Sequence, residues 1–340
     1  MNGQVIVVVP VLNEESTIGS VLEVLTAENL ECPEMRIVVV DGGSVDRTCD
    51  LVRQWQKRAP NVTLLDNPQK LQGVGVNLAI DVSGLDGGVL VRCDAHSIYP
   101  ERFVARLLET LDRTGADSVV VPMDTIGRAC FQKAVAWISD TKIGSGGSAH
   151  RGGTESGFVD HGHHAAMRID MFRRAGGYDP SFTHNEDAEL DCRIRALGGT
   201  IFLDATIRIG YFPRNTPVAL AKQYFNYGVG RSRTIRKHPS SLRLRQLLVP
   251  TNFLFLFASL IASSVMTAAL LLPVFYISIL ALVSLLLSVR HRSGCGLLAG
   301  VAAFLMHNAW AVGFFWGLGS VRQKSWARSS RLGLTELPMR

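Results

Sequence analysis

The first 120 residues alternate short apolar runs with segments in which apolar residues recur every three to four positions. Short β-branched runs are typical of buried strands, and the periodic segments are typical of amphipathic helices. The predicted strands are Val5–Val9, Arg36–Val40, Val62–Leu65, Gly88–Arg92 and Ser118–Val121, and the predicted helices are Glu15–Ala27, Val45–Arg58, Gly73–Val82 and Pro100–Thr114. This alternation predicts an α/β domain with a mostly parallel sheet, helices on both faces, and ligands at the carboxyl ends of the strands.

The middle of the chain is less regular. A helical stretch, Arg128–Ile143, leads into the small-residue loop 144–148, which is either a substrate lid or a plain connection. Asn185–Leu197 is predicted as a helix because Gly198-Gly199 supplies a C-cap. The last helical stretch before the apolar region, Pro217–His238, is basic and aromatic, which is typical of a helix at a membrane interface.

Two long segments carry no charged side chain, 247–289 and 293–321. The first has 43 residues and would run roughly 64 Å as one helix, twice the ~30 Å of a hydrocarbon core. We therefore predict two spans divided near Pro273, and a third span over 294–319. Three spans would place the basic tail after residue 321 outside the cytoplasm, against the positive-inside rule, so a re-entrant segment is the alternative.

The net charge of +6 is unevenly distributed. Acidic residues exceed basic ones by nine over 1–204, whereas 205–246 carries nine basic residues and no acidic one. A basic segment beside apolar spans favours the cytoplasmic leaflet and its anionic lipids over a nucleic acid. The sequence therefore predicts membrane lipids as partners and no nucleic acid.

The N-terminal region has no predicted secretory signal. The apolar run Val5–Leu12 is short, lacks a basic leader and ends in Asn13-Glu14-Glu15. The six cysteines are scattered without a CxxC pair, which excludes a four-thiolate zinc site and a disulfide scaffold. We expect a cytoplasmic catalytic domain with unpaired cysteines.

Acidic side chains follow several predicted strands. Glu14 follows the first strand, Asp41 the second and Asp94 the fourth, and Glu186-Asp187 opens a later helix. Turn and capping chemistry explains each of them singly, but a parallel sheet brings strand ends to one rim. An acidic rim would repel an anionic substrate unless a divalent cation intervened, so the set predicts a cation-assisted site.

Competing nucleotide and hydrolase motifs are missing from the sequence. It contains no GxxxxGK[ST] loop and no GxSxG elbow, and Gly73-Val74-Gly75 lacks the third glycine of a dinucleotide fingerprint. His161-Gly162-His163-His164 has the look of a metal cluster, but such a motif in a loop is more often polar surface. We interpret it as surface.

The ordered motifs resemble those of family 2 glycosyltransferases with the GT-A fold. They are VPVLNEE from Val9, VDGGSVDRT from Val40, Asp94-Ala95-His96 and Asn185-Glu186-Asp187, within residues 4–238. Further tracts, with the apolar C-terminal segments, resemble the bacterial membrane glucosyltransferases of succinoglycan synthesis. The resemblance implies a UDP-sugar donor, a polyprenyl-diphosphate-linked saccharide acceptor, and contact with other polysaccharide-assembly enzymes.

The resemblance also implies roles for residues that bind the donor. Pro10, Glu14 and Asp41 would hold the uridine, with Asp41 accepting from uracil N3–H. Lys70 would approach the phosphates. Arg231 lies near the place where membrane members carry a QxxRW motif that contacts the diphosphate, although this chain lacks that motif.

The remaining implied roles concern the cation and the proton. Asp94 and His96 stand at the family's DxD motif, with His96 in place of the second acid. Mg²⁺ prefers carboxylate and water oxygens, whereas imidazole suits Mn²⁺ better. Because the motif offers one carboxylate and one imidazole, either ion is a candidate. Asp187 matches the general base. A single displacement would invert the anomeric centre, giving a β-linkage from UDP-α-glucose.

The predicted organisation places the GT-A domain at 1–215, the interfacial helix at 216–246, the membrane domain at 247–320 and a basic tail at 321–340. The expected location is a bacterial inner membrane, crossed two or three times, with the catalytic domain cytoplasmic. Two other functions stay open at this point. One is a polyprenyl-phosphate sugar synthase, and the other is a non-catalytic membrane receptor for a nucleotide sugar.

Overall fold

The computed structural model describes residues 4–146 and 153–320, which divide into two compact units. The first unit contains the described residues of Met1–Met123 and Gly153–Gly210, and the second those of Asp124–Gly152 and Tyr211–Gln323. The strands are β1 (Val5–Val11), β2 (Met35–Asp41), β3 (Val62–Asp66), β4 (Val89–Arg92), β5 (Ser118–Val121), β6 (Met123–Thr125), β7 (Gly157–Phe158), β8 (His163–Arg168), β9 (Ile201–Leu203) and β10 (Ile209–Tyr211).

The helices of the first unit cover the main sheet. They are α1 (Ile18–Ala27), α2 (Thr48–Arg58), α3 (Gln72–Ser83), α4 (Phe103–Thr114), α7 (Ile169–Arg174) and α8 (Glu186–Ala196). In the second unit the helices are α5 (Cys130–Ser139), α6 (Lys142–Ser145), α9 (Pro217–Lys237), α10 (Leu248–Ala262), α11 (Leu271–Arg290) and α12 (Ala299–Ser320). The sequence-predicted elements are all present, although Pro100 lies outside α4 and Arg128–Ile143 is broken into α5 and α6.

The main sheet has the order β3-β2-β1-β4-β8-β5-β9-β7. The strands β1 to β4 run parallel to one another, whereas β8 runs antiparallel to both β4 and β5. β1 is buried along nearly its whole length, and apolar residues pack against both faces of the sheet. Such strands carry few polar residues, so polar side chains are expected mainly at the strand ends and in the loops that adjoin them. The predicted mostly parallel α/β fold is confirmed.

The second unit contains three helical segments that are long and apolar enough to cross a membrane. They are Leu244–Ala262, Thr267–Arg290 and Gly294–Gly319. The predicted break near Pro273 is wrong, because the chain turns over residues 263–266 and Pro273 lies in the first turn of α11. Proline is tolerated there because a first-turn N–H has no partner within the helix.

Helix α9 packs along α12 with little space between the two backbones. A Cβ added at Gly228 would meet the Trp310 carbonyl, and one added at Gly313 would meet the Phe225 carbonyl. Small residues at such contacts let helices approach closely, as they do within membranes. The basic helix expected at the membrane interface therefore has one side buried on the third apolar helix.

A disulfide joins Cys130, at the start of α5, to Cys295, in the turn before α12. The expectation of unpaired cysteines is therefore wrong for this pair, which is separated by 165 residues in the sequence. The other four cysteines, all within the described residues, form no disulfide. No local spacing pattern signals the pairing, because α5 reaches the α11–α12 turn only through tertiary packing.

Candidate active site

The loops that follow β1 and β2 are bonded to each other. The Asn13 backbone N–H donates to Ser44 Oγ at 2.9 Å, and Asn13 Oδ1 accepts from the Val45 N–H at 2.9 Å. The Glu14 N–H donates to Thr48 Oγ1 at 2.8 Å. Asn13 has a φ of 58°, a conformation that asparagine tolerates better than most residues. The two sequence motifs thus form a single polar rim.

Asp41 closes the turn after β2. Its carboxylate accepts from the Gly43 N–H at 3.0 Å and from the Ser44 N–H at 3.1 Å, and the residue is 6% exposed. Lys70 lies beside this turn, since a Cβ added at Gly43 would be 3.4 Å from Lys70 Nζ. Pro10 is paired across the strands with Val40, immediately before Asp41. The structure therefore brings Pro10, Asp41 and Lys70 to one end of the sheet.

Glu14 and His96 are paired. Glu14 Oε1 lies 2.9 Å from His96 Nδ1, and Glu14 Oε2 accepts from Thr17 Oγ1 at 2.8 Å. Burial raises the pKa of Glu14, but the hydrogen bonds with His96 and Thr17 and the charge of His96 together outweigh it and hold the pKa below its usual value. A carboxylate on Nδ1 is the arrangement that fixes the tautomer and the orientation of an imidazole.

Asp94 follows β4, and 16% of its side chain is exposed. Its Oδ1 accepts from Gln72 Nε2 at 2.7 Å, and its Oδ2 lies 3.5 Å from His163 Nε2. Burial raises the pKa of Asp94, but His163, Arg92 and His96 together hold it below the usual value. The carboxylate is therefore ionised at neutral pH.

Arg92 is a buried cation beneath three carboxylates. Its Nη1 donates to Asp187 Oδ1 at 2.6 Å and to the Tyr178 hydroxyl at 3.0 Å. Its Nη2 lies 3.5 Å from Glu186 Oε1 and 3.8 Å from Asp94 Oδ1. Unpaired buried charges are costly, so the acids and this guanidinium require one another. Sequence reasoning assigned Arg92 no role.

Asp187 lies in the first turn of α8, after Asn185 with a φ of 64°. Its Oδ1 accepts from Arg92 and from the Tyr178 hydroxyl at 3.0 Å. Burial raises the pKa of Asp187, but Arg92, His164 and His163 together outweigh it and keep the pKa below its usual value. Burial raises the pKa of the adjacent Glu186 to about 7. The two neighbouring acids therefore have pKa values that are displaced in opposite directions.

The interpretation of His161–His164 as polar surface is wrong. His163 begins β8 and lies between Asp94 and Asp187, with its Nδ1 3.7 Å from Asp187 Oδ2. His164 is 2% exposed, 3.0 Å from Asp191 Oδ1. The motif was visible in the sequence, but the segment has few β-branched residues, and its place as an inner strand was not predicted.

Arg231 belongs to the second unit, on α9. Its Nη2 donates to the Ser241 carbonyl and, at 2.7 Å, to Gln246 Oε1. The other sequence-predicted site residues all belong to the first unit. Within it Glu14 contacts His96, and Asp94 and Asp187 both contact Arg92 and His163.

The side chains that could bind a metal ion are suited to a cation that also binds oxygens of the substrate. Within residues 4–146 and 153–320, no group of three or more His, Cys, Asp or Glu side chains converges to hold a metal ion. Asp94 is ionised and His96 is oriented by Glu14, so two protein ligands are available. These residues fit a divalent ion whose remaining ligands are diphosphate and water oxygens.

Comparison with known proteins identifies the family. The model for glycosyl transferase family 2 matches residues 6–176. Succinoglycan biosynthesis protein ExoA of Rhizobium meliloti (strain 1021) is 40% identical over 94% of this chain and 96% of its own length. A dolichyl N-acetyl-α-D-glucosaminyl phosphate 3-β-D-2,3-diacetamido-2,3-dideoxy-β-D-glucuronosyltransferase of Methanococcus voltae is 24% identical over 92% of this chain and 96% of its own.

A solved structure agrees on the fold. Mannosyltransferase PcManGT from Pyrobaculum calidifontis, in complex with GDP-Man and Mn²⁺, has a TM-score of 0.59 at 16% identity. The match covers 93% of this chain and 88% of that chain, which supports the GT-A fold. The protein is therefore a glycosyltransferase, and it belongs to glycosyl transferase family 2.

Proposed function

We propose that this enzyme transfers a sugar, glucose in the first instance, from a UDP-sugar to a lipid-linked oligosaccharide during synthesis of a succinoglycan-type exopolysaccharide. The observation that carries the proposal is the convergence of Asp94 and Asp187 around Arg92 and His163. It supports the proposal because the carboxylate assigned to the donor would lie beside the carboxylate assigned as the base. The relative ExoA, 40% identical, supports the pathway by its name.

The donor would bind at the rim formed by the loops after β1 and β2. Pro10, Glu14 and Asp41 are assigned to the uridine and Lys70 to the phosphates. The nearness of Lys70 Nζ to the turn after Asp41 supports this assignment, because a cation there would lie between the base-binding carboxylate and the diphosphate. Arg231 is assigned a further contact with the diphosphate.

Asp94 and His96 would hold a divalent cation, Mn²⁺ or Mg²⁺. When bound, the ion would supply positive charge to the leaving diphosphate. The structural neighbour PcManGT contains Mn²⁺ with its GDP-Man. Glu14 orients His96, and Gln72 holds one oxygen of Asp94, so the protein fixes both ligands before the donor arrives.

Asp187 is assigned the general base. The acceptor O–H bond breaks as its proton moves to Asp187, and the acceptor oxygen attacks the anomeric carbon of the sugar. The bond from that carbon to the diphosphate breaks, and the electron pair leaves with UDP. A single displacement inverts the anomeric centre, so a UDP-α-sugar would give a β-linkage.

The three apolar helices would hold the enzyme beside its acceptor, a polyprenyl-diphosphate-linked saccharide. The Methanococcus voltae relative, by its name, forms a 3-β linkage on a lipid-linked sugar, which supports a sugar rather than a lipid phosphate as the acceptor. We assign the enzyme to a bacterial inner membrane with its catalytic unit in the cytoplasm, close to other polysaccharide-assembly enzymes.

The test is a panel of radiolabelled UDP-sugars, with GDP-mannose included, incubated with membranes that contain the enzyme and a lipid-linked acceptor. We expect label from one UDP-sugar in the lipid extract, released by mild acid as an oligosaccharide longer than the acceptor. The same assay with Asp187→Asn should incorporate label ~10²–10⁴-fold more slowly. Label released as a monosaccharide would contradict the proposal and indicate a polyprenyl-phosphate sugar synthase.

A further inference from the structure

One side chain separates the two carboxylates on which the proposed function depends. Asp94 Oδ1 is held by Gln72 at 2.7 Å, and Asp187 Oδ1 is held by Arg92 at 2.6 Å. In each carboxylate the second oxygen faces His163. Its Nε2 lies 3.5 Å from Asp94 Oδ2, and its Nδ1 lies 3.7 Å from Asp187 Oδ2. The imidazole therefore fills the gap between the donor side and the acceptor side of the site.

A buried carboxylate fixes the segment that carries His163. Asp191 lies one turn along α8 from Asp187 and is fully buried. Its oxygens lie 3.0 Å from His164 Nε2 and 3.6 Å from His161 Nδ1, and Oδ2 accepts from the Gly162 N–H at 3.3 Å. Both neighbours of His163 in the chain are therefore held by the helix that carries the base.

Close packing limits the same segment from the other side. A Cβ added at Gly162 would meet the side chain of Val120 on β5, so a larger residue would displace the start of β8. His164 Nδ1 is 3.1 Å from Ser118 Oγ, which also lies on β5. The segment 161–164 is therefore held between β5 and α8, and His163 has little freedom to leave the two carboxylates.

We propose that His163 is a positioning residue for the base. With Oδ1 held by Arg92 and the imidazole beside Oδ2, the Asp187 carboxylate has one allowed orientation, in which Oδ2 is presented to the acceptor hydroxyl. The inference rests on the proposed function, because it takes Asp187 as the group that receives the proton. His163 acts through Asp187 and has no bond to make or break itself.

The test uses variants that keep one side of the imidazole at a time. In His163→Asn the amide lies close to the position of Nδ1 and faces Asp187, whereas in His163→Gln it lies close to the position of Nε2 and faces Asp94. A misplacement of about 1 Å can cost ~10²-fold in rate. We expect His163→Ala and His163→Gln to lower kcat by about that factor with an unchanged KM for the donor, and His163→Asn to keep most of the native kcat.

A second measurement separates positioning from folding. Free imidazole added to His163→Ala should restore part of the lost kcat, which it would not do if the side chain served only the packing of β8. His184→Gln is the matched control for loss of an imidazole, since His184 lies in the loop before α8 with its Nδ1 3.1 Å from Thr183 Oγ1. Its kcat should stay native.

The outcomes distinguish this inference from the proposed function. Native kcat in His163→Ala, with Asp187→Asn inactive, would overturn the role of His163 alone. Native rates in both variants would overturn the assignment of the base. A higher kcat in His163→Gln than in His163→Asn would show that the imidazole serves Asp94 instead. If His163→Ala fails to fold, the comparison of the Asn and Gln variants decides the question.

Discussion

Asp187→Asn is the substitution that tests the chemistry with least disturbance of the structure. The Asn side chain has the same shape, and its carbonyl oxygen can still accept from Arg92 and from the Tyr178 hydroxyl, as Oδ1 does at 2.6 and 3.0 Å. Arg92 also keeps Glu186 at 3.5 Å and Asp94 at 3.8 Å, so its charge stays compensated. The change replaces Oδ2 by an NH₂ group, which cannot accept a proton.

The expected loss follows from that single change. General-base catalysis contributes ~10²–10⁴-fold, so kcat should fall by that factor, equivalent to about 3–5 kcal/mol in the activation barrier. Of the proposed uridine contacts, Glu14 lies in the loop after β1 and Asp41 ends β2, and UDP affinity should therefore stay native.

The assay combines single-turnover transfer of radiolabelled sugar with calorimetric binding of UDP. The matched control is Asp50→Asn, because Asp50 is 68% exposed and its ion pair with Arg53 lies on the surface of α2. Glu189 is an unsuitable control, since it is fully buried with Arg193 at 2.6 Å. Normal UDP binding with transfer at the native rate would refute the reasoning. A lipid phosphate, already ionised and needing no base, would then become the expected acceptor.

Three further predictions concern the metal, the pH and the membrane. EDTA should abolish transfer, Mn²⁺ should restore it at least as well as Mg²⁺, and Asp94→Ala should insert normally but be inactive; full activity in EDTA would contradict the cation assignment. Burial lowers the pKa of His164, but Asp191 outweighs it and raises the pKa to about 9. The resulting stability is present below about pH 6.5 and lost as the pH rises through about 9. The Tm of the native protein should therefore fall over this interval more than the Tm of His164→Gln. Reporters fused after Arg243 and after Arg292 should both give a cytoplasmic signal, and a periplasmic signal after Arg292 would mean one crossing between them.

The part of the fold that the sequence predicts is the part with strong local periodicity. Strands β1 to β5 and helices α1 to α4 were predicted because β-branched runs and amphipathic segments alternate there. Strand β8 was not, since its sequence HHAAMR has no β-branched residue and its position between β4 and β5 depends on pairings with segments about 75 and 45 residues earlier.

The candidate site likewise contains residues that the sequence predicts and residues that it does not. Asp41, Asp94 and Asp187 were identifiable because each ends a strand or opens a helix within a motif. Arg92 was not, because its partner Asp187 lies 95 residues further on, and a charge at the end of an apolar strand resembles an ordinary boundary residue. Contacts between segments this distant are fixed by tertiary packing, which no local pattern reports.

The bond between Cys130 and Cys295 restricts how the chain can be threaded through a bilayer. Cys130 precedes all three apolar segments, and Cys295 follows two of them. Two sulfurs can join only on the same side, so the number of crossings between them must be even. If the first two segments cross a bilayer, they would have to do so as a pair that returns to the side of Cys130, because a single crossing is incompatible with the bond. If that side is the cytoplasm, where thiols are kept reduced, the bond would be exposed to thiol exchange.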